Sequence, residues 1–192
     1  MNTKTETQLA IEQVEKRFVK LISYSASAAL GVALVALGVV MTVPRANAAP
    51  SVCTDDCNFI QTAAQGGMTE VKLGELASTS GQRDDVKEFG HRMVKDHSSI
   101  DGSLKALAAK KGVTLSDRLD TKHQEIVDKL SALSGSDFDD SYITCMIKDH
   151  KQDAKAFKAE SSATKDTDVK SFVDTTIPVV QEHLRIVNAM KN

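Results

Sequence analysis

The stretch Met93–His97, with the sequence MVKDH, decides how the rest of this chain folds. It returns at Met146–His150 as MIKDH, with isoleucine in place of valine. In each copy the methionine and the histidine are four residues apart, which places a thioether and an imidazole one turn apart on the same helix face. Both copies lie near the middle of long segments whose apolar residues recur with a helical period. The repeat therefore predicts two helices that carry polar side chains on their buried faces.

The composition is that of one globular domain. The chain has 192 residues, of which 41% are hydrophobic and 26% charged, and it contains no tryptophan. Alanine, leucine and lysine are abundant, and these residues favour helices. We therefore expect an all-α fold with enough apolar surface for a single core.

The N-terminal part of the chain has the pattern of a secretory signal peptide. Bases at 16–20 precede an uncharged run at 21–43, and the small-x-small sequence at 46–48 follows as a cleavage site. We therefore expect cleavage after Ala48 and export, to the periplasm or in association with the outer membrane. An uncleaved membrane anchor is the alternative, because an apolar run of about 23 residues can span a bilayer.

The domain organisation follows from this cleavage site. Residues 1–48 form the signal peptide, residues 49–54 a short lead, and residues 55–192 the helical domain. The signal peptide contains more bases than acids, so the mature domain is more acidic than the whole chain, whose formal net charge is −2. This charge argues against nucleic acid as a partner. The chain has no catalytic motif such as a phosphate-binding loop or a CxxC pair, so no enzyme class is supported.

Five helices are predicted in the domain from capping residues, glycines and apolar periodicity. Ser136 and Asp139 have the spacing of a capping box at the start of the fourth helix. Proline at position 178 lies inside the fifth helix and predicts a kink there. The expected helices run from about Thr54 to Thr79, Arg83 to Lys111, Ser116 to Ser134, Ser136 to Ser161, and Asp166 to the C terminus.

The lengths of the connections predict how these helices pack. Short links near residues 80–81 and 164–165 make two antiparallel hairpins. The connection at 112–135 is long enough to return along the bundle, and it carries the short third helix. The second and fourth helices would then be parallel. This is a four-helix bundle of ferritin-like topology, with an extra short helix in the crossover between the second and third long helices.

Polar residues near the middle of all four long helices should meet at one depth in such a bundle. One carboxylate and three imidazoles would converge at its centre, with two thioethers one turn away. The six residues are Glu70, His97, His150, His183, Met93 and Met146.

Two main interpretations of this cluster stay open, beside a small-ligand or proton-linked role as a third. Imidazoles and a carboxylate bind copper, zinc or iron, and methionine sulfur favours Cu(I), so the cluster could hold one transition-metal ion in metal handling or stress protection. Alternatively, Glu70 pairs with histidinium groups in a structural cluster of a non-catalytic envelope protein, since isolated buried charges are costly. A di-iron centre is disfavoured because the paired Glu-x-x-His motifs are absent.

The residues that precede the histidines are candidates for a supporting role. Asp96, Asp149 and Glu182 each stand directly before a histidine of the cluster. Such carboxylates could accept a hydrogen bond from the imidazole of a neighbouring helix and so orient it. His91 and His123 fall outside the apolar stripes and are expected to face solvent.

Three cysteines allow one disulfide in an oxidising compartment. The expected topology places Cys145 far from Cys57 along the bundle, beyond the reach of a disulfide. Cys53 and Cys57 are therefore the candidate pair, and Cys145 is expected to be a buried free thiol.

Several segments resemble one bacterial family. The segments are 59–71 and 73–77, together with 89–97, 135–142, His150 and 178–184. This pattern is similar to that of an exported family catalogued as domain of unknown function DUF4142. The resemblance implies a ferritin-like bundle in the periplasm or at the outer membrane, and it implies no established activity.

Overall fold

The structure is a computed structural model that describes residues 55–191. The predicted signal peptide, the lead segment and Cys53 lie outside the described residues. Cleavage after Ala48 and the Cys53–Cys57 disulfide therefore stay predictions.

Five helices and no strands make up the described part of the chain. Their apolar faces pack together into one bundle, as the helical periodicity predicts. None of the described helices is long and apolar enough to cross a membrane. The helices are α1 (Asp55–Ser80), α2 (Asp84–Lys111), α3 (Thr121–Ser131), α4 (Gly135–Ala163) and α5 (Thr167–Ala189).

Contacts at the two ends of the bundle establish the direction of each helix. At one end, Arg83 at the start of α2 bonds through its backbone N–H to Asp139 in α4, and through its guanidinium to the Met190 carbonyl after α5. At the other end, Lys111 at the end of α2 bonds to Asp168 at the start of α5. Helices α2 and α4 are therefore parallel and α5 is antiparallel to both. The predicted four-helix bundle, with a short helix in its long crossover, is confirmed.

Glycines allow α1 and α2 to pack with their backbones in contact. A Cβ atom on Gly74 would lie 2.9 Å from the Gly90 carbonyl oxygen, and one on Gly90 would lie 2.7 Å from the Gly74 carbonyl oxygen. Glycine inside a helix costs about 1 kcal/mol relative to alanine. Close helix packing explains these two glycines.

Two apolar clusters fill the bundle, one toward each end. The first contains Phe89, Phe138 and Tyr142, and the second contains Leu104 and Phe157. Between them lies a layer of polar side chains at the middle of the long helices. This layer holds the candidate site.

The predicted capping box at the start of α4 is wrong. Asp139 instead accepts hydrogen bonds from the backbone N–H groups of Gln82 and Arg83, at 2.9 and 2.8 Å, and so caps α2. Ser134 is the N-cap residue of α4 and makes no side-chain cap bond. Asp139 is nearly fully buried, at 1% exposure, so its carboxylate is committed to the neighbouring helix.

Helix α3 begins at Thr121, five residues later than the predicted Ser116. The Ser116 hydroxyl accepts a hydrogen bond from the Arg118 N–H at 3.1 Å, which makes a turn and not a helix start. Asp120 caps the helix, because its carboxylate accepts from the His123 N–H at 2.9 Å.

Candidate metal centre

One side chain from each long helix contributes to the polar layer. His97 Nδ1 lies 2.9 Å from Glu70 Oε2, and His150 Nε2 lies 3.5 Å from Glu70 Oε1. His183 packs against both imidazoles, with ring centroids 5.2 Å from His97 and 5.4 Å from His150. All four residues are at most 3% exposed. The structure thus brings Glu70 and the three histidines together where the topology places them.

The three imidazoles meet at one nitrogen. His183 Nδ1 lies 3.3 Å from His97 Nε2 and 3.4 Å from His150 Nε2. Two nitrogens bound to one tetrahedral ion at about 2.0–2.1 Å are themselves about 3.3–3.4 Å apart. These two separations therefore match those between ligands of a tetrahedral metal ion.

In two of these rings the other nitrogen already makes a hydrogen bond. His150 Nδ1 lies 3.0 Å from the Met146 carbonyl oxygen, and His183 Nε2 lies 2.9 Å from Asp96 Oδ2. A carbonyl and an ionised carboxylate only accept hydrogen bonds, so both nitrogens carry protons. In the neutral rings, His150 Nε2 and His183 Nδ1 then present lone pairs toward each other. Such outer contacts also orient the histidines of metal sites.

Burial keeps the imidazoles in the form that binds metals. It lowers the pKa of His150 to about 3, aided by the charges of His97 and His183. It also lowers the pKa values of His97 and His183. These rings are neutral at neutral pH, and neutral imidazole is the metal ligand.

A second set of potential ligands adjoins the first. Glu70, Asp149 and His150 each offer one ligand atom, and these atoms lie within 4.8 Å of one another. Burial, followed by the charges of Asp149 and Asp101, holds the pKa of Glu70 well above its ordinary range. Burial likewise raises the pKa of Asp149. The two carboxyl groups are therefore costly to ionise together unless a cation or a proton lies between them.

The two methionines are fully buried beside the histidines. Met93 and Met146 both have 0% exposure and belong to the apolar cluster that contains Phe89. Met146 reaches the site through its backbone carbonyl, which accepts the His150 Nδ1–H. Coordination by either sulfur stays a prediction.

The three acids that precede histidines have different roles. Asp96 orients His183 from the neighbouring helix, as predicted. Asp149 faces Glu70 and His150 as a potential ligand. Glu182 pairs with Arg185 on its own helix at 2.8 Å, so the supporting role expected of Glu182 is wrong.

Sequence reasoning missed two further carboxylates. Asp101 is only 9% exposed and its Oδ1 has no hydrogen-bond partner among the described residues, while a Cβ atom on Gly67 would lie 2.1 Å from that oxygen. Burial, followed by the charges of Glu70 and Asp149, raises the pKa of Asp153 to about 8. Both carboxylates line a cavity of about 20 Å³. Their positions four residues after His97 and three after His150 were the available signal.

The remaining cysteine and histidines lie outside the cluster. Cys145 is a free thiol, as expected, but it is half-buried, and burial raises its pKa to about 11. His91 is exposed, as predicted. His123 is only 18% exposed and its Nδ1 lies 2.8 Å from Asp120 Oδ1, so it does not simply face solvent.

The fold and the buried cluster define a small helical-bundle protein with a candidate metal centre. The chain matches the family "Domain of unknown function (DUF4142)" over residues 41–190, and it belongs to that family. No curated protein matches it significantly.

Solved structures share the fold. A DUF305 fragment from Deinococcus radiodurans matches with a TM-score of 0.63 and 14% identity over 72% of this chain and 97% of that one. CopM in its Cu(II)-bound form matches with a TM-score of 0.61 and 15% identity over 71% and 95% of the two chains. CopM in its Cu(I)-bound form matches with a TM-score of 0.60 and 14% identity over 70% and 94%. At these identities the likeness establishes the fold alone.

Proposed function

We propose that this protein binds one transition-metal ion at His97, His150 and His183, and that the ion is copper. The observation that carries the proposal is the position of His183 Nδ1, which lies 3.3 and 3.4 Å from the Nε2 atoms of the other two histidines. Both separations fit two ligands on one tetrahedral ion.

Proton positions favour a metal over a simple hydrogen bond between His150 and His183. The ring proton of neutral His150 lies on Nδ1, where the Met146 carbonyl accepts it. The proton of neutral His183 lies on Nε2, where Asp96 accepts it. Neither ring then has a proton for the 3.4 Å gap between them. Two facing lone pairs repel, and a bound cation converts that repulsion into coordination.

The choice of copper rests on ligand chemistry. Imidazoles bind copper and zinc, and the buried thioethers of Met93 and Met146 add soft donors that suit Cu(I). CopM, which shares the fold, is known in Cu(I)-bound, Cu(II)-bound and silver-bound forms. We propose a role in metal handling or stress protection, and we propose the periplasm as the compartment from the signal-peptide pattern.

A structural role for the cluster is the second candidate. The contact between His97 Nδ1 and Glu70 Oε2, 2.9 Å long and 3% exposed on both sides, favours it. A buried carboxyl group needs such a partner whether or not a metal binds. In this case replacing His97 would mainly cost stability, by about 1–3 kcal/mol, because Glu70 would be left unpaired.

Measuring whether the protein retains a metal distinguishes metal binding from a structural role of the cluster. The protein, purified without a histidine tag, is incubated with Cu(I), Cu(II), zinc or Fe(II), desalted and analysed for its elements. We expect retention of about one equivalent of copper, the loading of a single site. His150→Ala should lose it and His91→Ala, at an exposed position, should keep it. No retained metal under any condition would refute the proposal and leave the structural role.

A further inference from the structure

A groove on the protein surface leads toward the cluster. It lies between α1, α3 and α4 and has a volume of about 370 Å³. Several side chains that can bind metals line it, together with Lys122 and Lys148. They are His123, Cys145, Asp149 and Asp153.

Asp149 connects this groove to the buried site. It is half-buried and lines the groove, and it also belongs to the ligand set formed with Glu70 and His150. Glu70 is only 2% exposed, and among the described residues no hydrogen bond reaches its Oε1 from a backbone N–H or a hydroxyl group. The neighbours of this oxygen are His150 Nε2, at 3.5 Å, and the Asp149 carboxyl group, so a cation at this point would meet ligand atoms from all three residues.

His150 is shared by the two ligand sets. Its Nδ1 is committed to the Met146 carbonyl, so Nε2 is the nitrogen that remains for either set. This atom lies 3.5 Å from Glu70 Oε1 and 3.4 Å from His183 Nδ1. An ion held by Asp149, Glu70 and His150 could therefore pass to the three histidines without leaving His150.

The opposite side of the bundle offers no comparable path. The groove between α2 and α5 contains Phe89 and Arg92 but no member of either ligand set. Asp96 on that side contacts both His183, at 2.9 Å, and Arg92, at 3.3 Å. The arginine offsets the charge of this carboxylate.

We propose that the metal ion enters from the groove between α1, α3 and α4 and occupies a transient site of Asp149, Glu70 and His150 before it reaches the three histidines. This inference rests on the proposed metal function. On this route Asp149 binds the ion during loading but is not a ligand of the final site. Its removal should slow loading and leave the three histidine ligands in place.

The test measures the transfer of Cu(I) from the copper–bicinchoninate complex to the whole protein in the absence of oxygen. The loss of the colour of that complex reports the rate of transfer. Asp149→Asn keeps the size of the side chain and removes its charge. We expect loading to slow by about tenfold, as for loss of a steering charge in a cleft, with one equivalent of copper still bound at the end. Asp140→Asn is the matched control, because Asp140 is exposed on the same helix as Asp149 and lies outside the groove. It should load at the wild-type rate.

Three results would overturn the inference. An unchanged loading rate in Asp149→Asn, with normal binding by the wild-type protein, would exclude this route and leave the metal function intact. Equal slowing in Asp140→Asn would mean that the slowing comes from a general loss of negative charge and not from the groove. Loss of the bound equivalent in Asp149→Asn would make Asp149 a ligand of the final site. Failure of the wild-type protein to take up copper would instead refute the proposed function, and the route with it.

Discussion

His183 Nε2 lies 2.9 Å from Asp96 Oδ2, and this contact joins α5 to α2 across the bundle. Because the carboxylate accepts the proton of Nε2, His183 turns its Nδ1 lone pair toward His97 and His150. Asp96 is 26% exposed, whereas His183 is fully buried. The orientation of a buried imidazole is therefore set by a partly exposed carboxylate.

Replacing Asp96 should weaken copper binding without removing a ligand. Asp96→Asn loses the charge that holds the proton on His183 Nε2, and we expect the affinity to fall by about 10–100-fold. Competition with a copper chelator measures this change. Glu182→Gln is the matched control, since Glu182 also precedes a histidine but pairs with Arg185. Equal affinities for Asp96→Asn and the wild-type protein would contradict the role given to Asp96.

Two neighbouring glycines in α1 should respond in opposite directions to alanine. At Gly66 a Cβ atom meets nothing within 4 Å, so Gly66→Ala should stabilise the protein by about 0.4–1 kcal/mol. At Gly67 it would lie 2.1 Å from Asp101 Oδ1, so Gly67→Ala should destabilise it by about 1–3 kcal/mol. Urea denaturation measures both. If Gly67→Ala is as stable as Gly66→Ala, Asp101 does not occupy the space beside Gly67.

The cap that α4 supplies to α2 should be measurable as stability. Asp139→Ala removes the acceptor of the Gln82 and Arg83 N–H groups, and we expect a loss of about 1–2 kcal/mol in the free energy of unfolding. Asp140→Ala, at an exposed neighbouring position, should change it little. A similar loss in both variants would mean that the cap contributes nothing specific.

A carboxyl pair near the start of α1 predicts a pH effect. Burial, followed by interaction with Asp56, raises the pKa of Glu160 to about 7. An acid with a raised pKa in the folded state is most favourable when protonated, so its contribution is present at low pH and is lost as pH rises through about 7. Glu160→Gln should therefore raise the Tm more at pH 8 than at pH 5. Glu88→Gln, at an exposed site, should show no such difference, and an equal gain at both pH values in Glu160→Gln would contradict the assignment.

Local pattern and connection length were enough to predict the bundle. The apolar period placed Glu70, His97, His150 and His183 on buried faces, and equal depth in the bundle made them converge. The role of Asp139 could not be predicted in this way, since its partner Gln82 is 57 residues away, in the turn between α1 and α2. The helical periodicity also does not show which polar residues beside an apolar helix face turn toward the core.

For that reason Asp101 and Asp153 were not assigned to the site. Both stand one turn beyond a cluster histidine, but only the neighbouring helices bury them. The hydrogen bonds of His150 and His183 likewise depend on a carbonyl and a carboxylate that the packing brings near. The residue types of the buried cluster could therefore be predicted from sequence, whereas the tautomers of its histidines required the structure.

X-ray absorption spectroscopy of the copper-loaded protein tests the central claim most directly, because it counts the ligands of the ion. We predict three imidazole nitrogens at about 2.0–2.1 Å from copper and the loss of one of them in His150→Ala. A copper environment without imidazole, or one that His150→Ala leaves unchanged, would contradict binding at the three histidines.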